Sequence, residues 1–83
     1  MTLLYFAWVR QKIGKHEENL ALPAGVATVA DLVAYLKRLG PGYAEAFADE
    51  SRIRVAVNQR HGKFDAAVAA DDEVAFFPPV TGG

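Results

Sequence analysis

The residues of this chain most suited to chemistry are its last two, Gly82 and Gly83. With no side chains, they can enter a channel too narrow for any Cβ atom. Read as a C-terminus, Gly83 delivers one reactive group, its carboxylate. Just before it, Pro78-Pro79 fixes φ at two positions and favours extended backbone. The aromatic pair Phe76-Phe77 precedes the prolines and is suited to anchoring the segment in a core. An anchored base, a stiff neck and a slim end make a device for presenting a carboxylate. The six residues after Phe77 span roughly 20 Å when fully extended. The plainer alternative is a frayed end or an engineered scar. Such scars usually follow Ser, Gly or charged residues, whereas Gly82 follows Pro-Pro-Val-Thr.

Bulk properties set the frame for that tail. The 83 residues are enough for one small domain, and a hydrophobic content of 52% supplies one core. Charged residues make up 23% and the formal net charge is −1, a balance that argues against nucleic acid as the main partner. The absence of cysteine excludes a disulfide, a thiolate metal site and a cysteine nucleophile. His16 and His61 lie far apart in sequence, so no metal site is expected. No apolar run is long enough to span a membrane, and Met1 to Phe6 lacks the basic start of a signal peptide. The expected compartment is the cytoplasm.

The elements that must position the tail follow from patterning. Thr2 to Phe6 is an apolar run that predicts a buried strand. Val9 and Ile13, four apart and followed by Gly14, predict a short helical turn. Lys15 to Leu22 predicts a second strand with Leu20 and Leu22 on one face. Thr28 as N-cap, Asp31 three residues on, and Val29, Leu32, Val33, Leu36 and Leu39 at helical spacing predict a helix over 29–39, stopped by Gly40-Pro41-Gly42. A further short turn is expected over 43–48, with Tyr43 and Phe47 on one side. Ile53, Val55 and Val57 face inward on a strand, residues 58–64 hold a turn and a short edge strand, and Glu73 to Phe77 is the last strand. This order in so short a chain predicts an α+β mixed sheet curled over one main helix. The two most apolar strands, the first and the last, are expected side by side and parallel at its centre. The domain is expected to occupy residues 1–77, with 78–83 as its extended tail.

Three segments resemble one family. Asp72-Glu73-Val74-Ala75-Phe76-Phe77-Pro78-Pro79-Val80-Thr81-Gly82-Gly83 is similar to the C-terminal signature of the MoaD family, the small subunit of molybdopterin synthase. Tyr5-Phe6-Ala7-Trp8-Val9-Arg10 resembles that family's aromatic-Ala-x-x-Arg segment, and Val57-Asn58-Gln59 its Val-Asn-Gln or Val-Asn-Gly turn. The resemblance implies a ubiquitin-like β-grasp and a sulfur carrier with no bound cofactor. It implies that a ubiquitin-activating-type adenylating enzyme (MoeB-like) consumes ATP to adenylate Gly83, and that the acyl-adenylate becomes a thiocarboxylate. It further implies a larger partner, the MoaE-like large subunit, in a heterotetramer where the tail gives its sulfur to cyclic pyranopterin monophosphate. A carboxylate is ionised at neutral pH and resists nucleophilic attack. Adenylation supplies a leaving group, and sulfur then makes a carried nucleophile.

By the same resemblance, Phe6, Arg10, His61, Phe77, Pro78, Pro79, Val80, Thr81 and Gly82 meet the partner. Phe6 and Phe77 also fit a core role. Alternation sends one member of each aromatic pair outward, and Phe6 and Phe77 are the pair assigned there. His61 stands where many family members carry an apolar docking residue, and the reading preferred for it is a solvated turn histidine. Arg10 suits a surface ion pair or a partner contact, and Asp71-Asp72-Glu73 a solvated turn. Two other functions compete with the first. One is sulfur carriage for another pathway, such as thiazole, cysteine or tRNA thiolation. The other is a ubiquitin-like modifier, in which a lysine amine attacks the adenylated glycine. No nucleophile–base pair or phosphate loop marks the chain as an enzyme on its own.

Overall fold

The computed structural model describes residues 1–79. Along the chain run β1 (Thr2–Tyr5), α1 (Ala7–Ile13), β2 (Glu17–Asn19), α2 (Val29–Lys37), α3 (Pro41–Ala46), a 3-10 turn (Glu50–Arg52), β3 (Arg54–Val57), β4 (Arg60–Gly62) and β5 (Glu73–Phe77). The strands form one mixed sheet in the order β2-β1-β5-β3-β4. The most apolar strands, β1 and β5, are adjacent and parallel, with Tyr5 opposite Phe76. β2 and β3 flank them antiparallel, and β4 closes one edge. One sheet face packs on α2. Leu3, Tyr5, Val55, Val74 and Phe76 from the strands and Val29, Leu32, Val33 and Leu36 from the helix are buried in a single cluster. This is the mixed sheet over a helix that the element order predicts and the β-grasp that the resemblance implies.

Local chemistry explains where the elements start and stop. The capping box of α2 is present: the Thr28 hydroxyl accepts from Asp31 N at 3.2 Å, and Asp31 Oδ2 accepts from Thr28 N at 3.2 Å. The helix ends at Lys37, two residues earlier than the spacing of Leu39 suggests. Arg38 N and Leu39 N donate to the carbonyls three residues back, at 3.1 and 2.9 Å, which tightens the last turn and leaves Leu39 44% exposed. Gly40-Pro41-Gly42 does more than stop that helix. Gly40 caps α3 and Pro41 occupies its first turn, where a missing N–H costs nothing. α3 therefore begins two residues before the expected turn at Tyr43. The strand expected over 15–22 shortens to Glu17–Asn19, opposite Thr2, Leu3 and Leu4 of β1, with Leu20 exchanging a further pair of backbone hydrogen bonds with Met1. Leu20 and Leu22 pack half-buried on the core beyond the ladder. β1 likewise ends at Tyr5, and Phe6 becomes the N-cap of α1.

Between β3 and β4 the chain reverses through Asn58 and Gln59, both at positive φ (52° and 67°), as a two-residue primed hairpin turn requires. Asn58 does more than turn the chain. Its amide nitrogen donates to Asp72 Oδ1 at 2.9 Å and its oxygen accepts from Glu73 N at 3.0 Å, tying the hairpin to the start of β5. Asp72 Oδ2 accepts from Ala69 N at 2.8 Å, so this carboxylate of the acidic run is committed to the turn.

A polar cluster not foreseen from the sequence closes the other edge. Glu18 accepts from the hydroxyls of Tyr5 and Tyr43 at 2.8 and 2.7 Å and from Lys15 Nζ at 3.3 Å, joining β1, β2 and α3. Burial pushes the Glu18 carboxyl up, but the hydrogen bonds from Tyr43, Tyr5 and Lys15 outweigh it and hold the group below its ordinary range. Burial first, and then the bond to Glu18, raises the Tyr5 hydroxyl far above the usual phenol. A carboxylate with a depressed folded pKa stabilises the fold above its unfolded pKa, and that contribution is lost as pH falls through the folded value. Glu18→Gln is expected to cost about 1–2 kcal/mol at neutral pH. The gap from wild type should shrink below about pH 4, as read by urea unfolding across that range. A gap that stays constant with pH would show that the charge contributes nothing.

Candidate functional site

The sheet face turned away from α2 carries the candidate site. Tyr5 and Phe76 point into the core, 1% and 0% exposed, with their rings stacked at 6.2 Å. Alternation then turns their neighbours outward: Phe6 is 48% exposed and Phe77 is half-buried. Phe6 N donates to Phe76 O at 3.1 Å, which extends the parallel register by one residue and places Phe6 level with Phe77. Immediately afterwards Ala7 takes a positive φ of 53°, at about 1 kcal/mol for a residue with a Cβ, as β1 breaks into α1.

Strand register fills in the rest of the face. Leu4 lies opposite Ala75, Ala75 opposite Ala56, and Ala56 opposite His61. Leu4 shares Phe6's face and Ala75 shares Phe77's, so the period-2 rule applied one step further would have found both. The two alanines keep the centre shallow. The His61 ring stands edge-on to Phe77 with centroids 5.4 Å apart. Of the two assignments open for His61, the structure places it on strand β4 rather than in the preceding turn, exposed and against the aromatic face.

Pro78 and Pro79 leave the sheet beside a groove that they line together with Trp8, Ser51 and Arg52. The Arg52 guanidinium lies 5.1 Å above the Trp8 ring, a cation–π pair. Neither residue stood out in the sequence, because Arg52 reaches Trp8 only through the 3-10 turn before β3. Arg10 is exposed on α1 and forms no ion pair with a described carboxylate. Val80, Thr81, Gly82 and Gly83, the remainder of the expected site, lie outside the described residues. Among the described residues no group of three His, Asp or Glu side chains is arranged to hold a metal ion, and no helix is long and apolar enough to cross a membrane. The arrangement is a shallow aromatic face that ends at Pro78 and Pro79, suited to docking.

Comparison with known proteins agrees with this geometry. The family model described as the ThiS family matches residues 3–83. A protein of Escherichia coli named molybdopterin synthase sulfur carrier subunit is 40% identical over 81 residues, covering 98% of this chain and 96% of that protein. One of the same name from Haemophilus influenzae is 36% identical over 83 residues, covering 100% and 99%. The crystal structure of small archaeal modifier protein 1 from Haloferax volcanii superposes with a TM-score of 0.76 at 30% identity, covering 96% of this chain and 97% of that one.

Proposed function

The chain belongs to the ThiS family, and from that membership we propose that it is the sulfur carrier of a molybdopterin synthase. The observation that carries this reading is the end-to-end likeness to two named sulfur carrier subunits, within a family match that runs through Gly83. In this reading residues 78–83 act as the delivery tail of a domain formed by residues 1–77, in the cytoplasm. The Gly83 carboxylate attacks the α-phosphorus of ATP on a MoeB-like activating enzyme, and pyrophosphate leaves. A sulfur donor then displaces AMP from the acyl-adenylate and leaves a thiocarboxylate. The Phe6–Phe77 face docks the MoaE-like large subunit, and Pro78-Pro79 directs Gly82-Gly83 into its channel. There the sulfur passes to cyclic pyranopterin monophosphate, and hydrolysis returns the carboxylate. The carrier itself supplies no acid or base, and its share of catalysis is delivery in the correct orientation.

A second reading, as a protein modifier, draws support from the likeness to the Haloferax protein. The same adenylate would be attacked by a lysine amine instead of sulfur. Sulfur carriage for another pathway uses the same activation steps.

The deciding experiment is the intact mass of the chain after incubation with the activating enzyme, ATP and a sulfide source, followed by large subunit and pterin. The expected result is the mass gain of one oxygen-to-sulfur exchange, reversed as molybdopterin forms. A gain that the pterin system cannot discharge assigns the chain to another sulfur pathway. Conjugates that survive denaturing gels in place of that gain assign it to protein modification.

A further inference from the structure

We propose that the tail-bearing end of the sheet carries a cationic collar that docks an acidic protein surface, the rim of the channel that receives the tail. This deepens the carrier reading above and rests on it. Three cations lie around the point where β5 leaves the sheet. Arg54 is opposite Phe77 in the ladder, Lys63 lines a groove with Arg54, and Arg52 lines the groove with Pro78 and Pro79. All three are exposed. The described ion pairs use Lys12 with Glu45, Lys15 with Glu18 and Lys37 with Glu50, so none of the collar cations is held in a described ion pair, although Asp49 lies near enough to Arg52 to feel its charge. The nearby Asp49 is already engaged by Ser51, accepting from its N at 3.1 Å and from its hydroxyl at 2.6 Å.

Two of the three are held in place. The Arg54 guanidinium donates to the carbonyls of Ser51 and Ile53 at 3.3 and 3.2 Å, and Arg52 rests on Trp8. Prior ordering lowers the entropy lost when they meet a partner, and a guanidinium presents a planar fork suited to carboxylates. At the other end, β5 starts at Glu73 directly after Asp71-Asp72. A chain with a net charge of only −1 is therefore polarised along its tail-bearing strand. Such polarity orients an approaching partner and raises the association rate more than the affinity. The collar borders the shallow aromatic face, so one protein surface with an acidic rim around an apolar centre covers both. A nucleic acid would leave that apolar centre unmatched.

The test is stopped-flow association of the full chain with the large subunit of molybdopterin synthase from the same organism, at about 50 and about 300 mM salt. The wild-type rate is expected to fall with salt. Arg54→Glu/Lys63→Glu should associate about tenfold more slowly at low salt and lose most of the salt dependence, with dissociation little changed. Arg60→Glu, on β4 opposite Val57 and towards the start of β5, should stay within about twofold. Arg54→Gln/Lys63→Gln, with an unchanged melting point, should fall between wild type and the reversed pair. Equal rates in every variant at both salts, while Phe77→Asp still abolishes association, would overturn the collar and leave the carrier reading standing. Failure of the wild type to associate, or its binding to duplex DNA under the same conditions in place of the subunit, would also overturn the collar. The mass assay reports sulfur loading independently of all three results.

Discussion

Gly82→Val should melt where the wild type melts and form thiocarboxylate at least about a hundredfold more slowly. The first half follows from location. The buried cluster is built from residues between Leu3 and Phe76, so a substitution at position 82 removes none of its apolar contacts. The second half follows from the chemistry of delivery. The proposed activating enzyme would bring the Gly83 carboxylate in line with the α-phosphorus of ATP, and a displacement of about 1 Å from such geometry costs on the order of a hundredfold. Valine adds three carbons where the proposed channel admits none, and its β-branch narrows the backbone conformations open to the segment. Gly82→Ala should fall between the two. Initial rates of pyrophosphate release and the intact mass of the product read the effect directly. If Gly82→Val loads at the wild-type rate, the receiving channel is not narrow and the glycine pair loses its proposed reason. If loading fails only after adenylation, the block lies at sulfur transfer.

What was legible in the sequence was whatever repeats with a period or caps an end. The α2 stripe from Val29 to Leu36, its Thr28–Asp31 box and the alternation of β5 are local rules, and each appears in the structure where its residues predict it. The central parallel pairing of β1 with β5 was legible because these are the most apolar strands, and central strands are buried on more sides. The same alternation required one member of each aromatic pair to face outward, and register decided that these are Phe6 and Phe77. Contacts between segments distant in sequence were not legible. Glu18 is an ordinary charged residue until β1 and α3 bring two tyrosine hydroxyls to it. Trp8 and Arg52 are separated by most of the chain and meet only beside the tail. Arg54 and Lys63 read as surface cations, and their position at the tail-bearing end depends on the antiparallel register of β3 and β4. Short elements were misjudged for a related reason. β1 stops at Tyr5 where α1 begins, and α2 stops where α3 must begin, so in both cases a neighbour set the boundary.

Gly42 shows how far such a neighbour can reach. In the sequence it belongs to a helix stop; in the structure it lies inside α3, where the helix crosses α1 so closely that a Cβ on Gly42 would fall onto the backbone carbonyl of Lys12. Helix propensity favours alanine over glycine here by about 1 kcal/mol. The clash opposes it, and it wins because the obstructing atom is backbone rather than the end of a flexible side chain. Relieving the clash means separating α1 from α3, and overpacking of this kind costs about 1–3 kcal/mol. Gly42→Ala is therefore expected to lower stability by about 2 kcal/mol, moving the melting point of a domain this size down by about 8–16 °C. Gly40→Ala is the matched control: its Cβ would meet only Tyr43 Cδ2 at an ordinary 3.9 Å, and losing a glycine cap for alanine costs less than about 1 kcal/mol. Calorimetry of the two variants decides the point. A Gly42→Ala variant as stable as wild type would mean that α1 and α3 separate at no cost. Because α1 carries Trp8 and begins at the Phe6 cap, the proposed docking face would then rest on a movable base. A large loss at Gly42 with none at Gly40 would identify the α1–α3 contact as the support that holds Phe6 and Trp8 beside the tail.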